Sequence, residues 1–149
     1  MASSSSALAS APAPAEAPAA LELIDAHAVE PVHYDWGGIK WLCNDALAAG
    51  CNQSFGLAYV LPGRTNPEHW HSTCEEIIHV LAGTLDVKVD GVWHHAKPGM
   101  TVFLPAGCRH VVSNNGWEPC TYVASFSAAQ RGTRFSDPDA PGAAPGTRY

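Results

Sequence analysis

Gly63–Gly83 reads GRTNPEHWHSTCEEIIHVLAG and Gly99–Asn114 reads GMTVFLPAGCRHVVSN. His69 and His71 flank Trp70. In an extended chain both imidazoles share one face, roughly 7 Å apart. A polar turn, Ser72, Thr73 and Cys74, comes next, and Glu76 then opens an apolar run from Ile77 to Leu81 that Gly83 ends. A strand, a tight turn and a returning strand therefore bring Glu76 beside the histidine pair. His110 comes from a later hairpin, just after the turn Pro105, Ala106, Gly107. Three neutral imidazoles and one carboxylate suit a single divalent transition ion per chain: manganese, iron, nickel, copper or zinc. Positions left open on such an ion are where substrate, oxygen or water binds. The other histidines read differently. His94 and His95 are adjacent, so they face opposite ways and suit a hairpin edge in water. His79, three residues along from Glu76, points away from it.

Working outward, two flanking segments alternate with a period of two, which argues strands. In QSFGLAYVL (53–61), Phe55, Leu57, Tyr59 and Leu61 share one face, and Ser54, Gly56, Ala58 and Val60 the other. TLDVKVD (84–90) places Leu85, Val87 and Val89 inward and Asp86, Lys88 and Asp90 outward. Asp90–Gly91 is a hairpin turn signal, and VWHH returns from it. TVFL (101–104) leads into Pro105, and CTYVASFS (120–127) closes the sheet. LELIDAHAVEPVHYDWGGIKWL (21–42) holds shorter β-like pieces broken at Pro31 and Gly37–Gly38. The most helix-like stretch lies near 44–50. Short strands with closely spaced turns predict an all-β sandwich or small antiparallel barrel.

At this point the chain resembles the cupins. Their first motif is Gly, five residues, His-x-His, three or four residues, Glu, six residues, Gly. Gly63, His69, His71, Glu76 and Gly83 fit it with the four-residue spacing. Glu75 would serve the three-residue variant, but only Glu76 keeps six residues before Gly83. The second motif is Gly, five residues, Pro-x-Gly, two residues, His, three residues, Asn. Gly99, Pro105, Gly107, His110 and Asn114 match it throughout. The resemblance implies a cupin-like jelly roll (a double-stranded β-helix) with the metal inside one mouth. It carries over His69, His71, Glu76 and His110 as ligands. A homodimer is implied by the resemblance alone. Met100 stands where many cupins have Asp. Ile78 stands where related lyases of sulfonium substrates have tyrosine, which argues against that chemistry.

The sequence has 149 residues, which suits one domain. Residues 1–20 are almost entirely Ala, Ser and Pro and predict a disordered tail. The folded domain is expected over 21–130, with a flexible Pro/Gly/Asp/Ala-rich tail over 131–149. No basic start precedes a continuous apolar stretch, and no apolar run is long enough to span a membrane. A cytoplasmic location without membrane association is therefore expected. Five scattered cysteines lack a C-x-x-C pair, so free thiols are expected. Cys74 and Cys108 lie beside the ligand segments and are candidates to line the site. A net charge of −6 without a basic stripe argues against nucleic-acid partners.

Pocket neighbours must come from inward-facing strand positions. Tyr59 and Tyr122 are the candidate acid/base or substrate-orienting groups, with Phe55, Leu57 and Val102 as an apolar wall. Arg64 and Arg109 could hold a carboxylate, although solvent-facing positions suit both. The expected function is a metal-dependent enzyme acting on a small organic molecule. Its chemistry is either oxygen-using, as in dioxygenases, or redox-neutral, as in isomerases, cyclases and lyases. The alternative is a non-catalytic cupin that binds a sugar or metabolite. The complete ligand set favours the enzyme.

Overall fold

The computed structural model describes residues 22–140. The tail expected over 1–20 lies outside them. Twelve strands are formed: β1 (Val32–Tyr34), β2 (Gly37–Cys43), β3 (Ser54–Val60), β4 (Arg64–Thr65), β5 (His69–His71), β6 (Glu76–Ala82), β7 (Leu85–Val89), β8 (Val92–Ala96), β9 (Thr101–Leu104), β10 (His110–Asn114), β11 (Cys120–Phe126) and β12 (Thr133–Phe135). They build two antiparallel sheets. One runs β1-β2-β3-β11-β6-β9; the other runs β12-β5-β10-β7-β8, with β4 also paired to β10. The architecture is the all-β jelly roll expected. The 44–50 stretch forms turns rather than a helix. Asn44 Oδ1 accepts from the amides of Ala46 and Leu47, so the side chain closes the turn locally.

Alternation fills the space between the sheets. Ile78 and Val80 of β6, Leu104 of β9, and Tyr122, Ala124 and Phe126 of β11 meet Leu85, Val87 and Val112 from the opposite sheet. On β3 the inward face is the small one, Ser54, Gly56, Ala58 and Val60. Space decides this: a Cβ on Gly56 would already meet Ile39 side-chain carbons at 3.2 Å. Phe55, Leu57 and Tyr59 consequently face outward, and the wall expected from Phe55, Leu57 and Val102 does not form. On that outer face the register aligns Phe55, Ser125, Ile77 and Phe103 across four strands. Phe103 is 56% exposed.

Two motif positions serve the fold. Gly83 has φ +72, and a Cβ there would lie 2.7 Å from the Pro119 carbonyl oxygen, so only glycine fits. Asn114 is fully buried. Its Nδ2 donates to the carbonyls of Val60 and Glu118, and its Oδ1 accepts from the Gly116 amide. It thereby ties the two sheets together.

The chain does not leave the domain at residue 130. β12 pairs with β5 in register Thr133↔His71 and Phe135↔His69, which corrects the boundary expected there. The segment carries few apolar residues. Polar bonds fasten it instead: Thr73 Oγ1 donates to the Gln130 carbonyl and Ser72 Oγ to the Gly132 carbonyl.

Candidate metal centre

β5 contributes His69 and His71, the first residue of β6 is Glu76, and the first residue of β10 is His110. Cross-strand pairing sets His69 opposite His110. One candidate ligand atom from each of the four residues lies within 4.8 Å of all the others, so this group could hold a metal ion. Glu75, by contrast, is exposed. The ring centroids of His69 and His110 are 4.2 Å apart, and those of His69 and His71 5.2 Å.

The outward ring nitrogens are engaged. His69 Nδ1 lies 2.8 Å from the Pro67 carbonyl and His110 Nδ1 3.0 Å from the Cys108 carbonyl, so each Nδ1–H donates. That tautomer turns the Nε2 lone pair inward, as a metal ligand requires. His71 Nδ1 meets the Thr133 hydroxyl at 3.2 Å. Glu76 Oε2 sits 3.2 Å from His71 Nε2 and 3.1 Å from His110 Nε2. All three atoms are buried, and none has a hydrogen-bond partner among the described residues. Nitrogen and oxygen donors that converge in burial yet stay unsatisfied are what a bound cation would satisfy. The residues therefore fit the ion.

Electrostatics follow from burial and proximity. Burial, then the neighbouring His110, brings the His69 imidazole down to about 3, so it stays neutral. Burial opposes ionisation of Glu76, but the His110 and His71 side chains outweigh it and hold the carboxyl well below its ordinary range. Burial likewise opposes charging of His110, while its contact with Glu76 raises it. Glu76 is thus a carboxylate and His69 a neutral imidazole.

The four residues stand in the lining of a cavity of about 690 Å³, its solvent-filled mouth included, or beside it. Its walls are largely aromatic: Tyr34, Trp36, Trp41, Tyr122, Phe126 and Phe135. Of the two tyrosines expected here, Tyr122 lines the cavity and Tyr59 does not. Tyr59 belongs to the outward face of β3, where its hydroxyl meets His33 Nδ1 at 3.1 Å. Tyr122 does not ionise readily in this protein; burial first and the Glu76 charge second push its phenol up. Arg109 stacks on Trp70 with its guanidinium carbon 4.0 Å from the ring, and Arg64 is exposed. Neither Cys74 nor Cys108 is part of the lining. His79 lies on the outer face against Thr101, and His94 and His95 are exposed.

Several lining residues escape a reading of the motifs. Ile39 and Trp41 alternate along β2, and that period alone could have placed them inward. Arg131, Thr133 and Phe135 sit in RGTRFSDPDA, whose composition reads as a loop.

A jelly roll with three histidines and a glutamate converging at one end of its interior defines a class of protein. The chain carries a cupin domain: residues 56–126 match the cupin domain family. Protein SchB of Streptomyces halstedii is 32% identical over 88 residues, which cover 59% of this chain and 64% of SchB. Polyketide synthase CurC of Streptomyces cyaneus is 28% identical over 105 residues, 70% of this chain and 68% of CurC. Among solved structures, an S161A mutant of Bacillus subtilis oxalate decarboxylase superposes with TM-score 0.66 and 20% identity. It aligns over 74% of this chain but 31% of its own, and it shows the fold alone. The chain thus spans less than two thirds of the length of SchB and about a third of the decarboxylase.

Proposed function

We propose that the protein is a metal-dependent enzyme whose substrate is a small, oxygenated, largely planar organic molecule, and that its chemistry is redox-neutral proton transfer of the isomerase, cyclase or lyase type. The observation that carries this reading is the convergence of unsatisfied buried His Nε2 and Glu76 oxygen atoms beside an aromatic-walled cavity. A divalent ion held by His69, His71, Glu76 and His110 would supply Lewis acidity toward a carbonyl or enolate oxygen. The chain's own residues supply the rest. Tyr122 is kept as a neutral phenol and can donate a proton or hydrogen bond to an oxygen on which charge develops. The aromatic walls exclude water and stack on a planar substrate. The outward Nδ1 bonds hold the imidazoles in one orientation. The name of CurC, a polyketide synthase protein, supports an oxygenated, polyketide-like substrate.

A second reading, oxygen-using dioxygenase chemistry, is favoured by the same ligand set, which also suits iron. Elemental analysis of protein purified without chelator separates the two. Zinc, nickel or manganese near one ion per chain supports the redox-neutral reading, and iron with oxygen uptake supports the second. His110→Ala is expected to lower metal content and abolish turnover while circular dichroism keeps its β signature. No metal after reconstitution would remove the enzyme reading and favour a non-catalytic binding protein.

A further inference from the structure

Among the residues that line the cavity one carries a guanidinium, Arg131, and the metal-ligand set has no use for it. Its guanidinium carbon lies 3.7 Å from the Trp41 ring centroid and 5.1 Å from that of Phe126. His71 packs on the same Phe126 ring at 4.9 Å, so Arg131 and the candidate metal ligands share one aromatic partition. The backbone under Arg131 is fixed on both sides. Its own carbonyl accepts from Cys74 Sγ, the Gln130 carbonyl from Thr73, and the Gly132 carbonyl from Ser72. Gly132 is required here, since at φ +55 an added Cβ would fall 2.6 Å from Ser72 Oγ. Burial lowers the ionisation of Arg131 to about 10, which leaves it a cation at neutral pH. Stacking engages the faces of a guanidinium, whereas its five N–H donors lie in its plane. A second donor lines the same cavity: the indole Nε1 of Trp36 is buried without a hydrogen-bond partner among the described residues.

We propose that Arg131 is the specificity-determining anchor of this site, binding a carboxylate carried on the aromatic body of the substrate, with the Trp36 indole N–H as a further donor to its oxygens. The inference rests on the reading of this cavity as the substrate site. It adds a requirement that the metal centre does not impose: the preferred ligand is a planar acid, not its neutral counterpart.

Isothermal titration calorimetry of the full chain with 3-hydroxy-2-naphthoate, 3-hydroxy-2-naphthamide and 2-naphthol tests this, in metal-stripped and zinc-loaded protein. The acid is expected to bind about tenfold tighter than the amide or the naphthol, in both forms. Arg131→Gln should bring the ratio close to one with zinc content unchanged. Arg131→Lys should restore part of the preference, and Trp36→Phe should weaken the acid more than the naphthol. A wild-type protein that binds acid and amide equally overturns the proposal without reference to any variant. So does an Arg131→Gln protein that keeps the preference. The two readings fail separately. Acid preference without metal binding would sink the metal-enzyme reading and leave the anchor standing. Stoichiometric zinc without acid preference would do the reverse.

Discussion

Tyr122 and Tyr59 lie on adjacent strands with nearly the same local sequence character, yet only one faces the cavity. Tyr122→Phe is expected to keep full metal content and lower turnover about a hundredfold, the ordinary worth of a positioned general acid. Tyr59→Phe should leave metal content and turnover unchanged. Equal loss in both variants would show that the outward placement of Tyr59 is wrong. Asn114 acts through the fold instead. Asn114→Ala removes a buried bond to the Val60 carbonyl and two part-buried bonds, to the Glu118 carbonyl and from the Gly116 amide, so it should cost about 3 kcal/mol in denaturant unfolding. An unchanged midpoint would refute its bridging role. The candidate ligands were legible in the sequence because strand alternation and two turns suffice to bring them together. Which face of β3 turns inward was not, since the small face of Ser54, Gly56 and Ala58 is set by the bulk of Ile39 and Trp41 on the neighbouring strand β2, a pairing that no local pattern announces.

At the scale of elements, β3 and β7 follow from two-residue periodicity, β6 from an apolar run that Gly83 ends, and the Asp90–Gly91 turn connects β7 to β8 as expected. β12 does not follow from pattern. Only three residues long, it is held by β5 and by side-chain bonds that no local signal announces. One of these is the Ser136 hydroxyl, which donates to Glu68 Oε2 at 2.7 Å and accepts from Arg109 Nη1 at 2.9 Å. The Ser136 bond is the main reason the Glu68 carboxyl titrates below the ordinary 4.5; burial opposes it, and Lys88 adds to it. Because the folded value is the lower one, this contribution is present above pH 4.5 and fades as pH falls through the folded value. Amide exchange in Thr133–Phe135 should therefore quicken on acidification below pH 4.5, before β10 responds. Glu68→Gln should remove that acid dependence. If the variant keeps it, Glu68 is not the clasp.

Across the whole molecule, the outer face of the first sheet carries Phe55, Ile77 and Phe103 in one row. The homodimer implied by the cupin resemblance would be seated there. Sedimentation should then report twice the chain mass for the wild-type protein and one chain mass for Phe103→Glu. A wild-type monomer would leave that face without the expected partner. The interior divides in a different way. His69, His71, Glu76 and His110 all fall within 56–126, the span that matches the cupin domain family, whereas Trp36, Trp41, Arg131 and Phe135 lie before or after it. The molecule is thus a socket gripped by two jaws, one from each flank. Grafting 22–55 and 127–140 onto another cupin would be expected to transplant what is held while the host keeps its own ion.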